Sequence, residues 1–159
     1  MIGQRTPEVE AFWNKVCEKH GISTNDYHTK TFGDPKYAEY GNHVTELAIA
    51  ETKRATAHLA MDFELNDVSR RESGDYWVIL WEDFSPACVL HLVNVEVRPF
   101  KDVDAAFAAR EGEGDGSLEY WKAIHEDYFK LQLADWGKDW SDELPVVLES
   151  FDLLMVNEN

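Results

Sequence analysis

Cysteine is scarce: the 159-residue chain has two, Cys17 and Cys88. They make neither a metal-type pair nor a disulfide framework, so the sequence predicts reduced thiols and a cytoplasmic protein. Long apolar runs are also missing. None approaches the ~20 residues of a membrane span. The opening Met1-Ile2-Gly3-Gln4-Arg5-Thr6-Pro7 has no apolar signal core, so no membrane partner is expected. Positive charge is in short supply. Fifteen Lys and Arg stand against 31 Asp and Glu, for a net charge of −16. Non-specific affinity for nucleic acid comes from neutralising phosphates, and this acidic shell opposes it. Only a local pocket of cations is left for a nucleotide or nucleic-acid site. The available cations are Lys53, Arg54, Arg70, Arg71, Arg98, Lys101 and Arg110. Most fall in the middle third while acids dominate the last third, an asymmetry that points to one basic face.

Several chemical signatures are absent. No Gly-rich phosphate loop follows a strand, so a dinucleotide fold is unsupported. The histidines (His20, His28, His43, His58, His91 and His125) show no helical ligand pairing and no His-Glu-x-x-His, which excludes the usual zinc motifs. There is no Gly-x-Ser-x-Gly and no cysteine with a base nearby in sequence. Glu111, Glu113, Asp115 and Gly116 match the first half of a calcium-loop register. Its last position needs a bidentate acid, and Lys122 stands there. No metal and no cofactor are expected.

Packing material is plentiful. Hydrophobic residues make up 44% of the chain and aromatics 13%, enough for the core of one domain. Thr6-Pro7-Glu8 reads as the capped start of a helix carrying Val9, Phe12, Trp13, Val16 and Cys17 on one face and stopping at Gly21. Ile22 to Thr31 reads as loop. Asp34-Pro35 repeats the cap logic for a second helix with Tyr37, Tyr40, Val44, Leu47 and Ala48, reaching about Glu51. Gly41 either weakens it or admits a close neighbour. Ala57 to Met61 alternates as a strand, and Asp62 to Asp75, with Arg70 and Arg71, reads as a surface loop. Tyr76 to Trp81 and Ala87 to Val97 form a hairpin, with His91 and Glu96 on its faces. Asp102 is expected to cap a short helix and Ser117 a longer one carrying Leu118, Trp121, Ile124, Tyr128 and Leu131 and closed by Gly137. Pro145 precedes a last long strand, Val146 to Val156. A hairpin together with strands separated by helices predicts a mixed sheet.

The joint between the second helix and the next strand, Thr52-Lys53-Arg54-Ala55-Thr56-Ala57-His58, lies where a ligand can reach it. Lys53 and Thr56 set a cation beside a hydroxyl, which suits an anionic or carbonyl-bearing ligand. Loss of solvent would lower the lysine pKa and make it a base. A carboxylate from the acid-glycine loop would then complete a set fit for amide hydrolysis. On residue chemistry alone a surface lysine, favoured at a helix C-terminus by the dipole, is the simpler role.

The order of segments adds to this. Phe32-Gly33-Asp34, Glu46-Leu47-Ala48 leading into Thr52 to Ala57, Ser73-Gly74-Asp75-Tyr76, Val95 to Phe100, Glu111 to Trp121 and Leu144 to Phe151 recur in one arrangement. Together they resemble the ASCH (activating signal cointegrator homology) family of the PUA-like superfamily, in its longer bacterial form. The resemblance implies an α+β fold: a PUA-like small β-barrel or mixed sheet with flanking helices. It implies residues 1–31 as a helix and loop packed on a domain of residues 32–159, one structural unit. It also implies a cleft for a nucleoside or single-stranded RNA. Some small members hydrolyse the acetyl amide of N4-acetylcytidine with a Lys-Thr-Glu triad, and Lys53, Thr56 and Glu111 match it. Glu113 is one slip away. Arg54, Asp34, Arg98 and Glu113 are the corresponding substrate-binding candidates. The N-terminal helix and an insertion around Trp121 depart from the small enzymes. Three functions stay open at this point: an amidohydrolase, a single-strand endoribonuclease with or without a divalent metal at the acidic loop, and a non-catalytic module for RNA or modified nucleosides. A homodimer is compatible with each.

Overall fold

Thr6 starts the first helix as its spacing predicts, accepting a hydrogen bond from the Val9 N–H, and Gly21 ends it in the left-handed conformation. The computed structural model describes residues 2–34, 36 and 40–158. In chain order the elements are α1 (Pro7–His20), β1 (His28–Thr31), α2 (Gly41–Ile49), β2 (Ala55–Leu59), α3 (Ala60–Leu65), β3 (Tyr76–Leu80), β4 (Pro86–Pro99), α4 (Ala105–Glu111), α5 (Leu118–Asp135) and β5 (Pro145–Val156). The expected α+β class and mixed sheet are present.

Among the described residues the strands run β1-β3-β4-β5-β2. β1 lies parallel to β3, and the other pairs are antiparallel. The long β4–β5 ladder shifts register at Val89/Leu90 and Leu92/Asn94, and such bulges bend and twist strands. The bending has a measurable result. β1 and β2 are opposite edges of the sheet, yet Lys30 Nζ of β1 lies 3.4 Å from His58 Nε2 of β2. The sheet is a curled half-barrel.

Both faces of β3 are buried. Trp77 and Ile79 point into the curl with Phe32, Leu90, Leu92 and Phe151. Val78 and Leu80 point outward onto Val9, Phe12, Trp13 and Val16 of α1. That explains why the strand reads as a continuous apolar run rather than an alternating one. At the other edge, Ala55 and Leu59 of β2 pack with Val146 and Leu148 of β5 against Phe107, Trp121 and Phe129 of α4 and α5.

Several sequence expectations are corrected. The predicted loop before Phe32 contains β1, whose β-branched Thr29 and Thr31 satisfy a strand. α2 begins at Gly41, so Asp34 does not cap it; Asp34 Oδ1 instead accepts from the Lys36 N–H at 2.9 Å. Pro35 and Tyr37 lie outside the described residues. A β-carbon on Gly41 would stand 2.3 Å from the Phe32 carbonyl oxygen, so close approach is the reason for that glycine. The strand from Ala57 ends at Leu59, and Ala60 already begins α3. Asp104, not Asp102, caps α4, accepting from the Phe107 N–H. On α5 Ser117 is the cap as expected, but Leu131 is exposed and Phe129, Gln132 and Leu133 are buried. No helix among the described residues is long and apolar enough to cross a membrane.

Trp13 is fully buried between the sheet and Tyr27. Trp13→Ala is expected to cost about 3–5 kcal/mol, read as a fall in the urea midpoint with the denaturant slope unchanged.

Candidate functional site

Lys53 and Glu111 lie far apart in sequence, and backbone geometry brings them together. The Lys53 N–H donates to the Leu47 carbonyl at the end of α2, and the Arg54 N–H donates to the Arg110 carbonyl at the end of α4, at 2.7 Å. Gly112 then caps α4 with φ 63°. A β-carbon there would fall 1.9 Å from the Thr52 carbonyl oxygen, so only glycine lets this loop press against the Thr52–Lys53 backbone.

The side chains meet inside. Lys53 is 2% exposed and Glu111 1%. Lys53 Nζ donates to Glu111 Oε1 at 2.6 Å and to Glu113 Oε1 at 2.8 Å. The other Glu111 oxygen accepts from Trp121 Nε1 and lies 3.0 Å from His125 Nε2, both on α5. His125 Nδ1 lies 2.9 Å from the Trp121 carbonyl oxygen. A carbonyl and a carboxylate both accept, so with Glu111 ionised both imidazole nitrogens carry protons and His125 is an imidazolium.

Burial alone would lower the Lys53 pKa, but the Glu111 and Glu113 carboxylates outweigh it and hold the ammonium above its usual value. The sequence-based expectation of a desolvated, free lysine base is corrected here: at rest Lys53 is charged. Burial likewise pushes Glu111 up, and Lys53 and His125 reverse that, holding it far below the carboxylate range. His125 is raised, with Glu111 overcoming its desolvation.

A second cluster lies across the same cavity. Arg71 Nε and Nη2 donate to the two oxygens of Glu149 at 2.9 and 3.1 Å, both residues buried. His58 Nε2 is 3.2 Å from Glu149 Oε1. Glu149 falls to about 2 because His58 and Arg71 outweigh its burial, while burial and then Lys30 push His58 down to about 4. Lys30 is 6% exposed. Its Nζ sits 4.5 Å from the Trp77 ring centroid, and no carboxylate among the described residues pairs with it. Burial, then Arg71, lowers it to about 7; Lys53 adds to this, while Glu149 and Asp62 oppose it.

The cavity between the clusters holds about 450 Å³. Lys53, Thr56, Glu111 and Glu113 line it, with Asp34 and Tyr40 on one side and Lys30, His58 and Arg71 on the other. Thr56 is 7% exposed and is paired in register with Glu149. Four of the sequence candidates and Asp34 therefore share one space. Arg54 and Arg98 do not. Arg54 is held at the surface by Asp152, and Arg98 by Glu96 and Asp104. Neither lines the cavity, and local ion pairs hold both away from it.

The ASCH domain family model matches residues 28–155. The chain belongs to the ASCH domain family. That family is linked to RNA binding. A solved ASCH domain from Lactobacillus crispatus JV V101 is similar at 23% identity and TM-score 0.79, covering 92% of this chain and 93% of that one. A protein from Enterococcus faecalis V583 is similar at 26% identity and TM-score 0.82, covering 96% and 95%. A comparison with curated proteins gives no match.

Sequence reasoning missed half of this ASCH cavity. Local pattern places Lys30 in a loop and Arg71 at the surface, and gives Glu149, His58 and His125 no role. One signal was available: Thr29-Lys30-Thr31-Phe32 places a lysine between β-branched residues, which marks a strand. Nothing local announces that Arg71 folds back onto Glu149.

Two outcomes follow from this geometry. An unfolded lysine keeps its proton to about 10.4, whereas Lys30 loses it near 7. Between pH 7 and 9 the unfolded chain thus binds more protons, and stability rises with pH. The expected gain is about 2 kcal/mol at 1.36 kcal/mol per unit, measured by denaturant melts, and Lys30→Met should flatten it. Gly112→Ala should cost roughly 1–3 kcal/mol from the left-handed conformation alone. It should also lower the Lys53 pKa, followed by NMR of the labelled ammonium, because the collision with Thr52 drives Glu111 away.

Proposed function

We propose that this cavity is the active site of an amidohydrolase acting on acylated nucleobase amides of the N4-acetylcytidine type. The observation that carries the reading is the buried Lys53 ammonium, clasped by Glu111 and Glu113 in a cavity that Thr56 also lines. The family resemblance in the Lys-x-x-Thr spacing supports the same chemistry.

The resting charges support one order of proton transfers. A proton moves along the 2.6 Å bond from Lys53 to Glu111, leaving a neutral amine and a carboxylic acid. That minor tautomer is the reactive one. The amine takes the Thr56 hydroxyl proton as Oγ1 attacks the amide carbonyl. The C–N bond breaks as Glu111 returns its proton to the departing exocyclic amine. Water then cleaves the ester on Thr56, releasing acetate and restoring the hydroxyl. The His125 imidazolium beside Glu111 stabilises the carboxylate that reappears.

Charge favours a small substrate. Of the ionised side chains lining the cavity, Asp34, Asp62, Glu111 and Glu113 balance Lys30, Lys53, Arg71 and the His125 imidazolium, so no excess of positive charge is left for a phosphate. With a net charge of −16 over the chain, a polyanion is repelled at a distance, and the balanced lining does not offset this. A nucleoside is therefore favoured over long single-stranded RNA.

Purified protein should release acetate from N4-acetylcytidine. Lys53→Ala, Thr56→Val and Glu111→Gln should each lower kcat/KM by about 10²–10⁴-fold. Equal inertness of wild type and Lys53→Ala across a pH series removes the hydrolase. Cleavage of labelled single-stranded RNA that stops with chelator would replace it with a nuclease. A ligand-dependent rise in Tm without product would replace it with a binding module.

A further inference from the structure

Lys30 is the cavity group that the proposed chemistry leaves unused. It is buried, it lines the cavity, and among the described residues its hydrogens find no acceptor. The His58 ring decides this. Glu149 lies 3.2 Å from His58 Nε2, and an ionised carboxylate only accepts, so Nε2 carries the proton and donates to it. A protonated Nε2 cannot also accept from Lys30 Nζ, 3.4 Å away. The Trp77 and Phe32 rings, at 4.5 and 5.3 Å from Nζ, offer only their faces. Arg71, the neighbouring cation, already gives Nε and Nη2 to Glu149. A donor buried without an acceptor is costly and awaits one from outside.

A second unmatched group faces the same space. Gln132 of α5 is 6% exposed, and its Oε1 has no hydrogen-bond partner among the described residues. The cavity thus offers a free donor and a free acceptor. A nucleobase carrying both an oxo oxygen and an amino group supplies their complements. The four lining carboxylates cancel the four lining cations, so the oxygen belongs to a neutral group rather than a phosphate.

We propose that Lys30 is a binding residue that recognises a ring oxo oxygen of a neutral nucleobase. This deepens the hydrolase reading and rests on it for the ligand class, but it needs no turnover. β2 carries Thr56 and His58 on one face two residues apart, so a ligand whose amide is at Thr56 has its far side about 7 Å on, beside His58 and Lys30. Lys30 would then decide which bases enter, while Lys53, Thr56 and Glu111 act on the acylated amine.

The test is binding without an acyl group. Cytosine, 4-aminopyrimidine (the same ring without the oxo oxygen) and inorganic phosphate are titrated into wild type and Lys30→Met and followed by NMR shifts. Wild type should prefer cytosine to 4-aminopyrimidine by at least about tenfold, because a site built to donate rejects a ligand lacking the acceptor. Lys30→Met should erase that preference, and phosphate should not compete. Methionine keeps the length of the side chain beside Trp77, and its melt checks the fold. Lys30→Gln, which retains a donor, should recover part of the preference. Failure of wild type to bind cytosine, an unchanged preference in Lys30→Met, or competition by phosphate each overturns the assignment. The two readings fail separately. Acetate release with a wild-type KM in Lys30→Met sinks the Lys30 role alone. Oxo selectivity without acetate release sinks the hydrolase alone.

Discussion

A lysine ammonium taken out of water must find negative charge, and at Lys53 that requirement organises one whole side of the molecule. Two carboxylates answer it directly. One of these, Glu111, is itself fully buried and needs donors of its own. Trp121 and His125 supply them from α5. Each partner therefore justifies the next. Removing any one strands a charge in a medium of low polarity, a loss of about 3–5 kcal/mol for a buried pair. The backbone clasp between Arg54 and Arg110, and a glycine at position 112, make the approach sterically possible.

The curled sheet does the same for the opposite wall. Bulges in β4 and β5 bend the ladder until the edge strands β1 and β2 face one another. Polar residues that would be solvent-facing on a flat sheet become the lining of a cavity. Arg71 and Glu149 close their charges on each other. Lys30 is left with aromatic faces and a histidine whose proton points elsewhere. The two clusters contrast in a useful way. Around Lys53 every charge is answered and the pKa rises; around Lys30 the donor is unanswered and the pKa falls. The first arrangement suits proton exchange between fixed groups, and the second suits capture of a ligand.

α5 ties the fold to this chemistry. Its Trp121 packs on Phe100 and Phe107 in the core while its indole N–H reaches Glu111. His125, one turn on, stacks on Trp121 and completes the contact. One helix thus serves both the core and the cavity wall.

By itself the sequence determined the class of fold, most of the elements and five of the cavity's polar residues. Caps at Thr6 and Ser117, the glycine stop at Gly21, the hairpin and the last long strand are local features, written in a few neighbouring residues. Lys53 and Thr56 were legible for the same reason, being three residues apart, and Glu111 was reached through the family pattern. Tertiary structure alone decided the charge state of Lys53. Desolvation and ion pairing act on its pKa in opposite directions, and only the position of two carboxylates nearly 60 residues away settles the sign. It alone also brought Lys30 and Arg71 to the cavity wall and paired Arg71 with the buried Glu149. Sequence patterns carry information over a turn of helix or a step of strand, whereas the curl that joins β1 to β2 is set by the whole sheet.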